Sequence, residues 1–306
     1  MVVIDAQALA KRFGELDAVQ SLTFAVEAGE RLAYIGPNGA GKSTSIKMLT
    51  GILYPTGGTA TVLGLVPWRQ RRQLALRIGT LFGQRSQLWF QLSPRETLAL
   101  LGRIYRLSGA ETTRRIESLG ELLDAADLLD RPVRTLSLGE RMRCELAASV
   151  LHEPEILFLD EPTIGLDLVA KARFRDLILR LNDERATTIF LTSHDVSDIE
   201  QVARRVIVIN HGQLIYDDRV SRMRRDLLRT RLIDVRFDTP PDDVKIEGTT
   251  LVKLTGPGAK LEVDTEQRSI RAVLDDLLDR YDVADISVTE PPLEDMITHI
   301  YGQAPA

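Results

Sequence analysis

Apolar residues fall into short, nearly continuous runs separated by longer amphipathic stretches. Residues 31–35 (RLAYI), 155–160 (EILFLD), 187–191 (TTIFL) and 206–209 (VIVI) are apolar on successive positions. That pattern predicts strands covered on both faces, as in a parallel sheet. Helical periodicity occupies residues 42–50, 168–183 and 195–203, so strand and helix alternate and the class is α/β. Residues 22–26 and 59–63 add strands of an antiparallel layer.

Between about residues 94 and 152 the pattern becomes helical throughout, with one helix from Pro94 and others over 111–124 and 137–152. A helical subdomain of about 88–152 is therefore expected as an insertion in a sheet domain spanning 1–220. Asn210-His211-Gly212 reads as a hairpin turn. The arginine-rich stretch around the 221–231 linker is a solvated face, with a docking surface as the sharper alternative. Residues 232–306 predict a small α+β domain: strands at 233–237, 251–256, 260–264 and 283–289, a helix over 269–281 and a last helix from Leu293.

Composition narrows the class. With 306 residues, 44% of them hydrophobic and 27% charged, the chain suits a large globular domain plus a small one, or two ordinary domains. A net charge of −5 provides no general attraction to nucleic acid, so phosphate binding must come from a local site. Cys144 is the single cysteine, which excludes an internal disulfide and an all-cysteine zinc site and fits a reducing compartment. No secretory leader core and no apolar window of ~18 residues is present. Any work at a membrane is expected from a peripheral, cytoplasmic position.

Three motifs carry chemistry. Gly36-Pro37-Asn38-Gly39-Ala40-Gly41-Lys42-Ser43-Thr44 satisfies G-x-x-x-x-G-K-[ST] between a strand and a helix. Its glycines let backbone N–H groups converge on phosphate oxygens at a helix N-terminus, Lys42 reaches the β- and γ-phosphates, and the Ser43 hydroxyl suits Mg²⁺. Asp160 ends an apolar strand, where parallel sheets place ligands, and suits Mg²⁺; Glu161, one residue on, can polarise a water. Ser137, in Leu136-Ser-Leu-Gly139-Glu140, opens a helix as its N-cap, and capping alone accounts for a serine there. The remaining histidines, His152, His211 and His299, show no partner pattern.

Together these residues resemble the nucleotide-binding subunit of ATP-binding-cassette transporters over roughly residues 1–220. The resemblance implies a P-loop NTPase with a RecA-like parallel core, an antiparallel β layer and an inserted helical subdomain. It further implies that Phe13 stacks on adenine, that Gln84 senses Mg²⁺ and the attacking water, and that His194 contacts the γ-phosphate. Asp167, in Ile-Gly-Leu-Asp, matches the loop crossing a dimer interface. Ser137 and Gly139 are expected to contact ATP held by the opposite subunit; Leu138 and Glu140 depart from the family's LSGGQ, and no role is carried over to Glu140. ATP and Mg²⁺ are the implied cofactors. The implied partners are a second copy or a homologous ATPase and integral membrane permease subunits, with no nucleic acid. Residues 83–89 (GQRSQLW) and the C-terminal domain resemble the branch that exports substrates through separate six-helix permeases, at the cytoplasmic face of the inner membrane. A soluble ATPase of the same superfamily, acting without a permease, is the alternative.

Overall fold

The computed structural model describes residues 1–83, 86–227, 230–241 and 243–289. They fall into two compact units that divide between Val220 and Ser221. The first opens with two long strands, β1 (Val2–Phe13) and β2 (Leu16–Glu27), then β3 (Arg31–Ile35), helix α1 (Lys42–Leu49) and β4 (Gly57–Val62). After α2 (Arg71–Leu74) and β5 (Ile78–Phe82) come three helices, α3 (Pro94–Ile104), α4 (Gly109–Leu122) and α5 (Leu138–Val150). β6 (Ile156–Asp160), α6 (Leu168–Arg185), β7 (Thr188–Thr192), α7 (Val196–Val202), β8 (Arg205–Asn210) and β9 (Gln213–Arg219) complete the unit.

The central sheet has the order β5-β6-β7-β3-β8-β9; its pairings are parallel except that of β8 with β9. A second, antiparallel sheet runs β2-β1-β4. The β8–β9 hairpin turns at His211 and Gly212, both at positive φ (45° and 76°), the geometry of a two-residue primed turn.

Strands apolar on both faces have two cores to fill. Along β6, Ile156 and Phe158 point into the core shared with the antiparallel sheet, while Leu157 and Leu159 enter the core covered by α5 and α6. In the first core Phe24, Tyr34, Phe190 and Phe158 form a run of tilted rings, with successive centroids 5.9, 5.2 and 5.3 Å apart. Tyr34 is fully buried and its hydroxyl donates to Ser45 Oγ at 3.0 Å, tying α1 to the sheet. The second core continues into α3, α4 and α5 through Leu98, Ile116, Leu119, Met142 and Leu146. These helices start at serines: Ser93 and Ser137 form capping boxes with Glu96 and Glu140, and Ser108 caps α4.

Periodicity understates the sheets in two places. β1 and the start of β2 escape it because their pairing shifts register several times and Ala8 and Ser21 sit at positive φ, breaking the two-residue alternation. β5 (IGTLF) is interrupted by Gly79 and Thr80, and only its pairing with β6 makes it a strand.

α8 (Val220–Leu227) starts at the last residue of the first unit and covers the arginine-rich stretch; β10 (Thr230–Phe237), β11 (Thr249–Thr255), β12 (Gly258–Asp264), α9 (Ile270–Arg280) and β13 (Val283–Thr289) follow in the second. Its antiparallel sheet, β11-β12-β10-β13, packs Ile233, Val235, Phe237, Leu261 and Val263 against Val273 and Leu277 of α9. The helix expected from Leu293 and His299 lie outside the described residues.

His152 stacks on Tyr105 at the end of α3, with centroids 3.9 Å apart, and its Nε2 lies 2.9 Å from the Ile78 carbonyl oxygen of β5. Burial pushes its imidazolium down to about 4 from the usual 6.5, against the Ile78 contact and with Arg115 nearby. The unfolded chain therefore binds more protons between those values, and folding stability falls as pH drops from about 6.5 towards about 4. Urea titrations across that window should show a loss of up to about 3 kcal/mol from this group. His152→Gln should flatten that slope; an unchanged slope would argue against it.

Candidate functional site

The site grows from the carboxyl ends of β3, β6 and β7, which the strand order places side by side. β3 leads into the loop from Gly36 to Gly41, β6 ends at Asp160, and β7 at Thr192, two residues before His194. At these ends the buried strands give way to polar side chains, and Lys42, Ser43, Asp160, Glu161 and His194 gather there.

The loop is shaped for close approach. Gly41 has φ of +102°, and a Cβ on it would sit 2.4 Å from the Ala18 carbonyl oxygen. Helix α1 starts directly after it with no side-chain cap, whereas α3, α4, α5, α6, α7 and α9 each have a serine or aspartate cap. The first N–H groups of α1, from Lys42 to Thr44, are thus left without an intrahelical or capping acceptor, an anion cradle in geometry and in dipole.

Lys42 is buried and folds back over its own loop, donating from Nζ to the Gly36 carbonyl at 2.7 Å and the Pro37 carbonyl at 3.3 Å. Burial pulls its ammonium below the usual range, and the charges of Glu161 (Oε1 at 4.0 Å) and Asp160 oppose that. Asp160 accepts from Ser43 Oγ at 2.9 Å through Oδ2 and from Thr192 Oγ1 at 2.7 Å through Oδ1. Glu161 sits at a positive φ of 52°, a strained backbone for a side chain of this size, and its N–H is held by Thr192. Its Oε2 lies 2.6 Å from His194 Nδ1. Lys42, Ser43, Asp160, Glu161 and His194 therefore form one connected cluster. Thr192, which the motifs do not single out, is its hinge; its only sequence signal is a hydroxyl at the end of an apolar strand.

Other expected residues lie apart. Phe13 ends β1 as a residue 47% exposed, with Lys11 Nζ 5.0 Å from its ring centroid. Ser137 and Gly139 line a groove of about 480 Å³ with Asp167, Val169, Ala170 and Arg173, and no residue of the phosphate loop borders it. Asp167 caps α6, accepting from the Ala170 N–H at 2.8 Å. Exposed Ile164, Leu168 and Val169 flank it. Glu140 acquires a definite structural role: Oε2 accepts from the Ser137 N–H at 2.7 Å and Oε1 pairs with Arg131 at 3.1 Å. Leu138 lies over the Asp167 turn, where a Cβ on Gly165 would meet its Cδ2 at 3.2 Å. Gln84 lies outside the described residues.

The residues fit both implied groups. The uncapped, glycine-shaped loop suits a polyphosphate, and the hydroxyl and carboxylate of Ser43 and Asp160, 2.9 Å apart, are oxygen donors of the type Mg²⁺ takes. Fold and site together define a P-loop nucleotide hydrolase of the ATP-binding-cassette kind.

Comparison with known proteins agrees. The family model described as ABC transporter matches residues 19–164. The chain is similar to the daunorubicin/doxorubicin resistance ATP-binding protein DrrA of Streptomyces peucetius, 31% identical over 306 residues, covering 98% of this chain and 92% of that one. It is also 35% identical to the ABC transporter ATP-binding protein NatA of Bacillus subtilis (strain 168), over 65% of this chain and 80% of that one. Among solved structures, cbiO1 from Clostridium perfringens, part of the ABC transporter complex cbiONQ, superimposes with a TM-score of 0.67 at 25% identity, covering 71% of this chain and 88% of that chain. The chain belongs to the ABC transporter family, as an ATP-binding subunit with the ABC ATPase fold.

Gly41→Ala should destabilise the fold by about 1–3 kcal/mol in denaturant titration, because it adds a clash to a left-handed backbone. It should also abolish binding of a fluorescent ATP analogue; wild-type stability and binding would contradict the close approach.

Proposed function

We propose that this chain is the ATP-hydrolysing subunit of an exporter: two copies, or one copy and a homologous ATPase, enclose two ATP molecules and drive a separate membrane permease. The observation that supports it most is the hydrogen-bonded cluster joining Ser43, Asp160, Glu161 and His194, with Lys42 beside it, at adjacent strand ends. The export reading draws on the likeness to DrrA, whose name describes drug resistance.

Phosphoryl transfer to water depends on positioning and charge neutralisation rather than covalent chemistry. In this reading the loop from Gly36 to Thr44 cradles the phosphates, and Lys42 exchanges its carbonyl partners for β- and γ-oxygens. Phe13 offers its exposed face to adenine. Ser43 and Asp160 would hold Mg²⁺, an ion to which the family resemblance also assigns Gln84, and the ion would supply positive charge to the phosphates. Glu161 orients the attacking water and accepts its proton; His194, released from Glu161, holds the γ-phosphate.

Ser137, Gly139 and Asp167 line a groove that the phosphate loop does not border, which is why a second chain is invoked. An isologous dimer presents that groove to the partner's nucleotide twice over. ATP then favours the closed pair, and hydrolysis removes the contacts that hold it. No helix among the described residues is long and apolar enough to cross a membrane, in keeping with a peripheral subunit at the cytoplasmic face of the inner membrane. The second unit is assigned an accessory role in dimer stability or turnover.

Glu161→Gln should bind ATP normally, lose turnover by at least about 100-fold and accumulate as a dimer on sizing columns; full turnover would refute its role. Chains carrying only Lys42→Ala or only Ser137→Arg should each be inactive, yet regain activity when mixed, because one of the two shared sites is then intact. A mixture that stays inactive would refute the shared site.

A further inference from the structure

A buried ionic cluster lies beside the site without belonging to it. Arg175, in the second turn or so of α6, is buried and donates from Nε to Asp198 Oδ1 at 2.6 Å. Asp198 Oδ2 accepts from Thr163 Oγ1 at 2.5 Å and from Ser193 Oγ at 2.7 Å. Ser193 Oγ also accepts from the Asp195 N–H at 2.9 Å, closing a tight turn around His194. Asp195 receives Lys171 Nζ at 2.5 Å, and the Arg175 guanidinium approaches it at 3.5 Å. Thr163, Ser193 and Asp198 are all buried.

The sequence positions of these groups give the cluster its meaning. Thr163 follows Glu161 by two residues, and Ser193 and Asp195 flank His194 on either side. Lys171 and Arg175 lie one and two turns along α6 from its cap, Asp167. Fold stability alone is a weak reason for such a cluster, since buried ion pairs are often matched or surpassed by apolar residues of similar volume. A fully satisfied polar network is, however, stiff and geometrically specific, and the planar fork of Arg175 can hold two carboxylates at fixed angles as a lysine cannot.

We propose that the Arg175–Asp198–Asp195 cluster is a positioning relay that transmits the placement of the α6 N-terminus to the segments carrying Glu161 and His194. Rested on the ATPase reading above, the relay makes hydrolysis in one chain respond to what meets Asp167. A helix moves as a rigid rod, so a shift at its cap reaches Lys171 and Arg175 undiminished. Arg175 then moves Asp198, which carries Thr163 and Ser193, while Lys171 moves Asp195. None of these side chains joins the cluster around the phosphate loop, so they act on the reaction only through Glu161 and His194.

The test uses the full-length chain with Arg175→Lys, Asp198→Asn and Lys171→Met, each alone and combined with His194→Ala, in steady-state and single-turnover ATP hydrolysis. The relay predicts a fall in kcat of at least about tenfold per folded molecule, with the Kd for a fluorescent ATP analogue within about threefold of wild type. It also predicts that Lys171→Met, whose leg through Asp195 reaches only His194, costs less than about twofold further once His194 is alanine, since residues acting as a unit are non-additive. The part-exposed Lys171 supplies a variant that folds even if the buried positions tolerate no change. Wild-type kcat in all three variants, or a Lys171→Met loss that multiplies with His194→Ala, would overturn the relay. Full turnover in Glu161→Gln and His194→Ala would instead overturn the ATPase reading itself.

Discussion

One carboxylate organises the site. Asp160 accepts a hydrogen bond on each oxygen, from Ser43 of the phosphate loop and from Thr192 of the neighbouring strand. Three segments far apart in the chain are fixed at hydrogen-bonding distance by that single group. It can do so because the strands beneath it are apolar on both faces through most of their length, and their carboxyl ends bring polar side chains side by side. The strained φ of Glu161 follows from the same constraint, since its N–H must also reach Thr192.

Helix ends divide the remaining work. Where an N-terminus only needs closing, a serine closes it, as Ser93, Ser108 and Ser269 do. α1 is left without a side-chain cap at the bottom of the glycine loop, with Lys42 drawn back onto carbonyl oxygens. α5 is intermediate: Ser137 caps it and stays exposed, while Glu140 completes the box and answers Arg131. Among the described residues the single-turn α2 also lacks a side-chain cap, and α1 is the uncapped helix end aimed into the charged cluster.

Much of this was legible in the chain. The apolar runs at β3, β6, β7 and β8 stand out because burial on both faces leaves no room for polar alternation. The phosphate loop, Asp160 and Glu161 announce themselves through residue type and spacing, whereas His194 and the ATP contact of Ser137 came only with the family resemblance. β1 and β5 do not, since bulges and a glycine interrupt the pattern and only pairing with a neighbour restores the strand. Thr192 and Glu140 escaped as functional or supporting residues because a threonine in a strand and a glutamate near a helix start are ordinary until their partners are known.

The order of residues alone thus determined the class of fold, the ligand chemistry of the loop and the carboxylates available to it, because local periodicity and motif spacing are properties of contiguous segments. It could not state which of the many charged side chains meet. Arg175, Asp198, Thr163 and Ser193 are separated by up to 35 residues and carry no shared spacing. Their convergence was decided by the sheet and helix packing that brings α6, α7 and the strand ends into one buried volume, where every charge must find a partner.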